Sequence, residues 1–146
     1  MRYLHTMIRV ANLDSALDFF IRKFGMLETH RIESEKGRFT LVYLAADADV
    51  ARAGATRTPE LELTYNWDPE TYAGGRNFGH LAYEVENIYA LCERLEKSGV
   101  TINRPPRDGR MAFIRTPDGI SIELLQKGEA LASQEPWASA ANVGSW

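Results

Sequence analysis

Two stretches of sequence decide the fold: LHTMIRVANLDSALDFFIRKFG (residues 4–25) and HLAYEVENIYALCERLEKSG (residues 80–99). Each begins with alternating apolar and polar residues, which is typical of a half-buried strand. An Asn that can cap a helix follows, then apolar residues at helical spacing, then a Gly that can end the helix. Three identities recur with an offset of 75 residues, as His5 and His80, Val10 and Val85, and Asn12 and Asn87.

The last strand of each half carries a matched Glu. ELELTYN (60–66) contains Glu62 and ISIELLQ (120–126) contains Glu123. The His-to-Glu separations of 57 and 43 residues differ by an amount that a surface loop at 46–58 can hold. Together with strands at 38–45 and 111–115, and one further strand in each half to which no segment is assigned, the repeat predicts an α+β fold of two tandem βαβββ modules. We expect the modules to span 1–70 and 76–127, followed by an irregular tail at 128–146.

Composition excludes several classes of protein. The chain has 146 residues, 45% of them apolar and 25% charged, with a net charge of −3 and no basic run, so a nucleic-acid-binding role is not expected. No apolar segment approaches the roughly 20 residues that span a bilayer, and the N-terminus lacks a signal-peptide pattern. The single cysteine, Cys92, cannot form an intrachain disulfide, which fits a cytoplasmic protein.

The matched His and Glu residues predict a metal site. His5, Glu62, His80 and Glu123 would supply two imidazoles and two carboxylates, a set suited to nickel, cobalt or zinc. Four protein ligands on an octahedral ion leave two positions for water or substrate oxygens. The alternative is that the two His are ordinary half-buried side chains and the two Glu are exposed edge charges. Their occurrence at matched places in two repeats favours the metal site.

Strand geometry adds candidate substrate contacts. Side chains two apart share a face of a strand, so Arg9 lies on the face of His5, and Asn66 on the face of Glu62. An Arg binds a carboxylate in a bidentate way, which indicates a substrate with a carboxylate and peptide-like polar groups. The simpler interpretations are a solvated surface Arg and an Asn in a turn.

Other reactive residues carry weaker signals. Arg76, in a glycine-rich loop before His80, is either a second anion contact or a solvated loop residue. Arg107 and Arg110 are weaker candidates for the same role. Cys92 occupies the place on the second helix that Leu17 has on the first, so we expect it to pack in the core rather than act as a nucleophile. His30 has no counterpart in the repeat and is expected to be exposed.

Four segments, LHTMIRVANLDSALDFF, ELELTYNW, FGHLAYEVEN and TPDGISIELL, resemble the glyoxalase I family of the vicinal oxygen chelate superfamily. The resemblance covers roughly residues 1–126. It implies that His5, Glu62, His80 and Glu123 are the metal ligands. It further implies that Arg9 and Asn66 contact glutathione, with Arg76 at a place where some members use Arg.

The resemblance also implies an activity and an assembly. The expected reaction isomerises the methylglyoxal–glutathione hemithioacetal to S-D-lactoylglutathione through an enediolate, with Glu123 as base and Glu62 serving the other substrate face. The expected assembly is a homodimer whose sites take the first-half ligands from one chain and the second-half ligands from the other. The stretch between Gly99 and Phe113 lacks the Lys-Gly-Gly-type loop of many members, and Arg107 or Arg110 is the candidate replacement.

Four other functions are compatible with the same fold. A non-catalytic binding dimer, like the bleomycin-resistance proteins, would need no metal quartet. A dioxygenase would use two His and one carboxylate, so the fourth ligand disfavours it. An epimerase, or a thiol transferase acting on fosfomycin, is harder to separate by spacing. The Arg9 and Asn66 pair, together with the ELTYNW segment, favours the glutathione enzyme.

Overall fold

The computed structural model describes residues 1–75 and 77–146 and divides into two compact units, Met1–Ala73 and Gly74–Trp146. Each unit contains one four-stranded sheet with the element order β-α-β-β-β, and the first unit has an additional short helix before its last strand. The predicted pair of βαβββ modules is therefore confirmed. No helix in the described part of the chain is long and apolar enough to cross a membrane.

The first unit has the strand order β1-β4-β3-β2, with β1 parallel to β4 and the other pairs antiparallel. Its elements are β1 (His5–Arg9), α1 (Leu13–Leu17), a π-helical segment (Asp18–Phe24), β2 (Leu27–Ser34), β3 (Phe39–Ala45), a 3-10 turn (Asp47–Asp49), α2 (Val50–Thr56) and β4 (Glu60–Asn66).

The first helix begins and ends where the sequence predicts. Asn12 is the N-cap, and its side-chain oxygen accepts a hydrogen bond from the backbone N–H of Ser15 at 2.8 Å. Gly25 ends the helix with a φ of 97°, a backbone conformation that favours glycine. The second half winds as a π-helix, and both Phe19 and Phe20 are buried there.

The central strand β4 of the first unit is buried on both faces of the sheet. Leu61 and Leu63 alternate with Glu60, Glu62 and Thr64 along β4, and all five are buried. A strand buried on both faces with carboxylates on one of them is unusual, because a buried charge needs a partner. This polar face of β4 carries the candidate site.

The prediction of a surface loop at 46–58 is wrong. The segment contains the 3-10 turn and helix α2, and Ala53 on that helix is fully buried. Alanine has the highest helix propensity, so the Ala-rich run ADADVARAGAT favours helix once one side can pack against the protein.

The second unit repeats the topology, in the order β5-β8-β7-β6, with β5 parallel to β8. Its elements are β5 (His80–Val85), α3 (Ile88–Lys97), β6 (Ile102–Arg104), β7 (Met111–Arg115) and β8 (Ser121–Gln126). Asn87 caps α3 by accepting from the backbone N–H of Ala90 at 3.0 Å. Cys92 and Leu95 are fully buried on the inner face of α3, so Cys92 is a packing residue as predicted.

The segment 128–146 packs on the second unit without forming a helix or strand. Trp137 is buried, and the Trp146 ring stacks on Phe113 with 6.0 Å between centroids. Val143 and Asn103 exchange hydrogen bonds in which the Val143 backbone N–H donates at 2.9 Å and its carbonyl accepts at 2.9 Å. These contacts bring the last residues to the sheet face that carries Phe113.

Candidate metal centre

The parallel pairing of β1 and β4 creates a first His/Glu pair. The register sets His5 beside Glu60 and Met7 beside Glu62. Glu62 is two residues from Glu60 along β4, so His5 and Glu62 lie on the same face of the sheet. The Nε2 atom of His5 is 3.0 Å from Oε2 of Glu62. The His5 side chain is 37% exposed and the Glu62 side chain is 11% exposed. The imidazole is therefore accessible while the carboxylate is anchored in the sheet.

The Glu62 carboxylate has further polar neighbours in the first unit. Thr64 Oγ1 donates to Glu62 Oε1 at 3.3 Å. Tyr43 is the cross-strand partner of Glu62 on β3. Burial raises the pKa of Tyr43 to about 12, and its hydrogen bond to the Glu62 carboxylate acts in the same direction. The phenol is therefore protonated at neutral pH and serves as a donor.

A second layer of side chains fixes the Tyr43 ring. The His30 imidazole stacks on it with 4.0 Å between centroids and an interplanar angle of 9°. Thr29 Oγ1 donates to the buried Glu60 carboxylate at 2.5 Å, and His30 Nδ1 lies 3.7 Å from the same oxygen. The prediction that His30 is exposed is wrong, because the stack half-buries the ring. Burial lowers the pKa of His30, and the charge of Arg57 adds to the effect.

The second unit forms a matching pair from β5 and β8. The Nε2 atom of His80 is 3.1 Å from Oε2 of Glu123, and their side chains are 42% and 16% exposed. Phe113 is the cross-strand partner of Glu123, as Tyr43 is of Glu62. Its ring meets His80 edge-on at 5.4 Å. The His5 and Tyr43 rings also meet edge-on, at 5.8 Å.

Both pairs fit the donor set of a divalent ion. Ligand atoms about 2.1 Å from a metal and in adjacent octahedral positions are about 3 Å apart. The measured N–O separations of 3.0 and 3.1 Å agree with that spacing. Among the described residues no group of three or more His, Cys, Asp or Glu side chains could hold a metal, so each unit presents two of the four predicted ligands.

The two substrate-binding candidates of the first unit lie near each other. Arg9 is exposed on β1 and pairs with Thr64 of β4. Asn66 Nδ2 donates to Glu70 Oε2 at 2.8 Å and to the Tyr72 hydroxyl at 3.3 Å. Desolvation raises the pKa of Tyr72, and the positive charge of Arg9 opposes that change. A cation and an amide thus adjoin the Glu62 face.

The remaining arginine candidates have different surroundings. Arg110 Nη1 donates to the backbone carbonyl of Gln126 at 3.1 Å and to that of Gly128, so this nitrogen holds the end of β8. Arg107 Nη1 donates to the Ala140 carbonyl at 2.9 Å and so holds the following segment. Arg76 lies outside the described residues.

Sequence reasoning did not identify Tyr43 as a site residue. The repeat could not reveal it, because Tyr43 precedes Glu62 by 19 residues whereas Phe113 precedes Glu123 by 10. The available signal was that Tyr43 is an aromatic residue in the alternating pattern of a predicted strand. Such residues are far more common in protein cores than in functional sites.

The chain has clear similarity to known proteins. Residues 2–124 match the model of the Glyoxalase/Bleomycin resistance protein/Dioxygenase superfamily. A lactoylglutathione lyase of Neisseria meningitidis is 42% identical over 132 residues, covering 87% of this chain and 91% of its own length. A probable lactoylglutathione lyase of Vibrio cholerae is 35% identical over 139 residues, covering 92% of this chain and 96% of its own.

Solved structures agree with the sequence relatives. A trypanothione-dependent glyoxalase I of Leishmania major is 34% identical, with a TM-score of 0.74 and 87% of each chain covered. Glyoxalase I of Zea mays is 29% identical, with a TM-score of 0.76, covering 88% of this chain and 45% of the maize chain. The chain therefore belongs to the Glyoxalase/Bleomycin resistance protein/Dioxygenase superfamily and, within it, to the glyoxalase I (lactoylglutathione lyase) family.

Proposed function

We propose that this protein is a metal-dependent lactoylglutathione lyase that converts the hemithioacetal of methylglyoxal and glutathione to S-D-lactoylglutathione, and so detoxifies methylglyoxal. The observation that carries the proposal is the pair of His/Glu sets, His5 with Glu62 and His80 with Glu123, on matched strands. Relatives named lactoylglutathione lyase at up to 42% identity over most of both chains support the same activity.

We propose nickel or cobalt as the metal, with zinc as the alternative. Imidazole nitrogens together with carboxylate oxygens suit these borderline ions. The ligands would be His5, Glu62, His80 and Glu123. When bound, the ion supplies positive charge that stabilises the negative charge developing on two neighbouring substrate oxygens.

Glu123 is the proposed base. Its carboxylate would take the proton from the carbon that bears sulfur, leaving an enediolate, and return it to the neighbouring carbon. The hydroxyl-bearing carbon becomes the thioester carbonyl and the former carbonyl carbon becomes the lactoyl alcohol, so the reaction is an isomerisation without an external oxidant. Glu62 would lie at the other substrate face as a metal ligand.

The proposed substrate contacts lie beyond the ligands on the same strands. Arg9 would bind a glutathione carboxylate, and the amide of Asn66 would exchange its bonds to Glu70 and Tyr72 for bonds to the peptide. Arg76 is proposed as a second anion contact on sequence grounds alone. For Arg110 we propose a structural role, because its Nη1 is used by backbone carbonyls.

We propose that the active form is a homodimer in which each site takes His5 and Glu62 from one chain and His80 and Glu123 from its partner. The two-ligand set of each unit supports a site that needs a second pair. Met7 lies between His5 and Arg9 on β1 and is 40% exposed in the single chain. An exposed apolar side chain at this position is expected if β1 lies at an interface with a second chain. A cytoplasmic location is proposed because glutathione is the thiol of reducing compartments and Cys92 is free.

The test is thioester formation from methylglyoxal and glutathione by metal-stripped protein reloaded separately with nickel, cobalt, zinc or magnesium. We expect turnover with nickel and cobalt above zinc, and none without metal. A parallel assay with trypanothione separates the thiol of the Leishmania relative from glutathione. Tight metal binding without turnover on either thiol would overturn the lyase assignment and favour an epimerase or another thiol-dependent activity.

A further inference from the structure

The two half-sites have the same ligand spacing but different surroundings for the carboxylate. The N–O separation is 3.0 Å in the pair His5 and Glu62 and 3.1 Å in the pair His80 and Glu123. The difference lies in the side chains beside each Glu, at positions that the strand registers make equivalent.

In the first unit hydroxyl groups surround Glu62. Its Oε2 faces His5, and its other oxygen, Oε1, accepts from Thr64 Oγ1 at 3.3 Å. Thr64 is buried on the central strand β4, and its β-branched side chain is stiff, so the donor is held in place. Tyr43 is the cross-strand partner of Glu62 on β3, and its phenol is hydrogen-bonded to the Glu62 carboxylate. Both carboxylate oxygens therefore have a partner.

The Tyr43 donor is itself confined. His30 stacks on one face of its ring at 4.0 Å, and His5 meets the ring edge-on at 5.8 Å. A phenol that cannot swing away keeps the Glu62 carboxylate in one orientation. Outer hydrogen bonds of this kind fix the direction in which a carboxylate ligand points.

In the second unit the equivalent positions carry no hydroxyl. Leu125 follows Glu123 by two residues, as Thr64 follows Glu62, and Phe113 takes the cross-strand position of Tyr43. Neither side chain can donate a hydrogen bond to Glu123. Within the described part of the chain, His80 is the polar side chain that contacts this carboxylate.

We propose that Thr64 and Tyr43 are positioning residues that keep Glu62 in place as a metal ligand, and that Leu125 and Phe113 leave Glu123 free to move as the base. This inference rests on the proposed function. A base that is also a ligand has to leave the ion to reach the substrate proton, and hydrogen bonds to the carboxylate oppose that movement. The asymmetry between the two units therefore assigns different roles to two chemically identical residues.

The first experiment removes the hydroxyl groups of the first unit and follows cobalt affinity by visible absorbance in competition with a chelator. Thr64→Val removes only the hydroxyl, and Tyr43→Phe copies the second unit. We expect the double variant to lose tenfold or more in cobalt affinity. The single variant Thr64→Ser, which keeps the hydroxyl group, should retain most of the wild-type cobalt affinity. Wild-type affinity in the double variant would overturn the positioning role.

The second experiment adds the hydroxyl groups to the second unit. Leu125→Thr combined with Phe113→Tyr is compared with Leu125→Val alone, which keeps Phe113 and adds no hydroxyl group, because Thr and Val have nearly the same shape. We expect the Thr version to show a kcat roughly tenfold lower at equal KM, with cobalt affinity equal or tighter. Equal kcat in both would overturn the mobility argument. The cobalt titrations need no turnover, so a wild-type protein without lyase activity would refute the proposed function and leave the positioning of Glu62 separately tested.

Discussion

His80 Nε2 and Glu123 Oε2 lie 3.1 Å apart. Parallel pairing of β5 and β8 places Ala82 beside Glu123, and His80, two residues before Ala82, has its side chain on the same face of the sheet. The His80 side chain is 42% exposed, whereas the Glu123 side chain is 16% exposed. An accessible imidazole is thereby combined with a largely buried carboxylate. The same strand relationship recurs in His5 and Glu62, and the predictions below follow from these two pairs and from their supporting residues.

Replacing Glu123 with Gln should abolish lyase turnover. The amide cannot accept the substrate proton, and general-base catalysis typically contributes about 10²–10⁴ in rate. Steady-state kinetics at saturating metal, with size-exclusion chromatography to verify the assembly state, provide the measurement. The metal content of the variant is determined in parallel, so that loss of metal is not read as loss of the base. A rate like that of the wild type would show that Glu123 is not the base.

Replacing Arg9 with Met should raise KM for the glutathione hemithioacetal tenfold or more and change kcat little. A charge-assisted hydrogen bond to a carboxylate is worth about 1.5–3 kcal/mol, and it is made equally in the bound substrate and the transition state. Arg31→Met is the matched control, because Arg31 pairs with Glu28 on β2. An unchanged KM in the Arg9 variant would remove Arg9 from the substrate site.

The Cys92 thiol should be unreactive in the native protein. Burial raises the pKa of Cys92 to about 12, so the thiolate that attacks a disulfide reagent is scarce at pH 8. We expect a thiol-specific chromogenic disulfide to release no colour from native protein and one equivalent per chain after denaturation. Rapid labelling of native protein would contradict the assignment of Cys92 as a packing residue.

Asp108 should contribute stability that is lost in acid. Burial raises its pKa, but hydrogen bonds from Arg104 and from the backbone N–H groups of Arg110 and Met111 outweigh this effect, and the pKa is lowered to about 2. Since the folded pKa is below the unfolded value of 3.8, the contribution is complete above about pH 4 and is lost as the pH falls toward 2.

The test of that prediction is the melting temperature of wild-type protein and of Asp108→Asn between pH 6 and pH 2. The variant should be less stable at pH 6, and the difference should shrink as the pH approaches 2. Glu129→Gln, which removes an exposed carboxylate of the segment 128–146, controls for the change in net charge. A constant difference across the range would show that the Asp108 charge is not the cause.

Sequence alone determined the order of elements and the pairing of the candidate ligands. Periodicity and capping residues are local properties, so Asn12, Gly25, Asn87 and the strands that they adjoin were predictable from a few neighbours. The repeat then singled out two His and two Glu from among the chain's titratable residues. A local pattern failed where packing decided, as in helix α2, whose Ala-rich segment favours a helix but is too short to form one without packing against the protein.

Only the tertiary structure decided what surrounds each carboxylate. Tyr43 meets Glu62, and Phe113 meets Glu123, through the antiparallel registers of β3 with β4 and of β7 with β8. Register is set by the packing of whole sheets, so a single strand does not report it. The stack of His30 on Tyr43 has the same origin, because it joins strands whose pairing no local pattern records. The sequence thus named the four candidate ligands, and the strand registers made the two glutamates unequal.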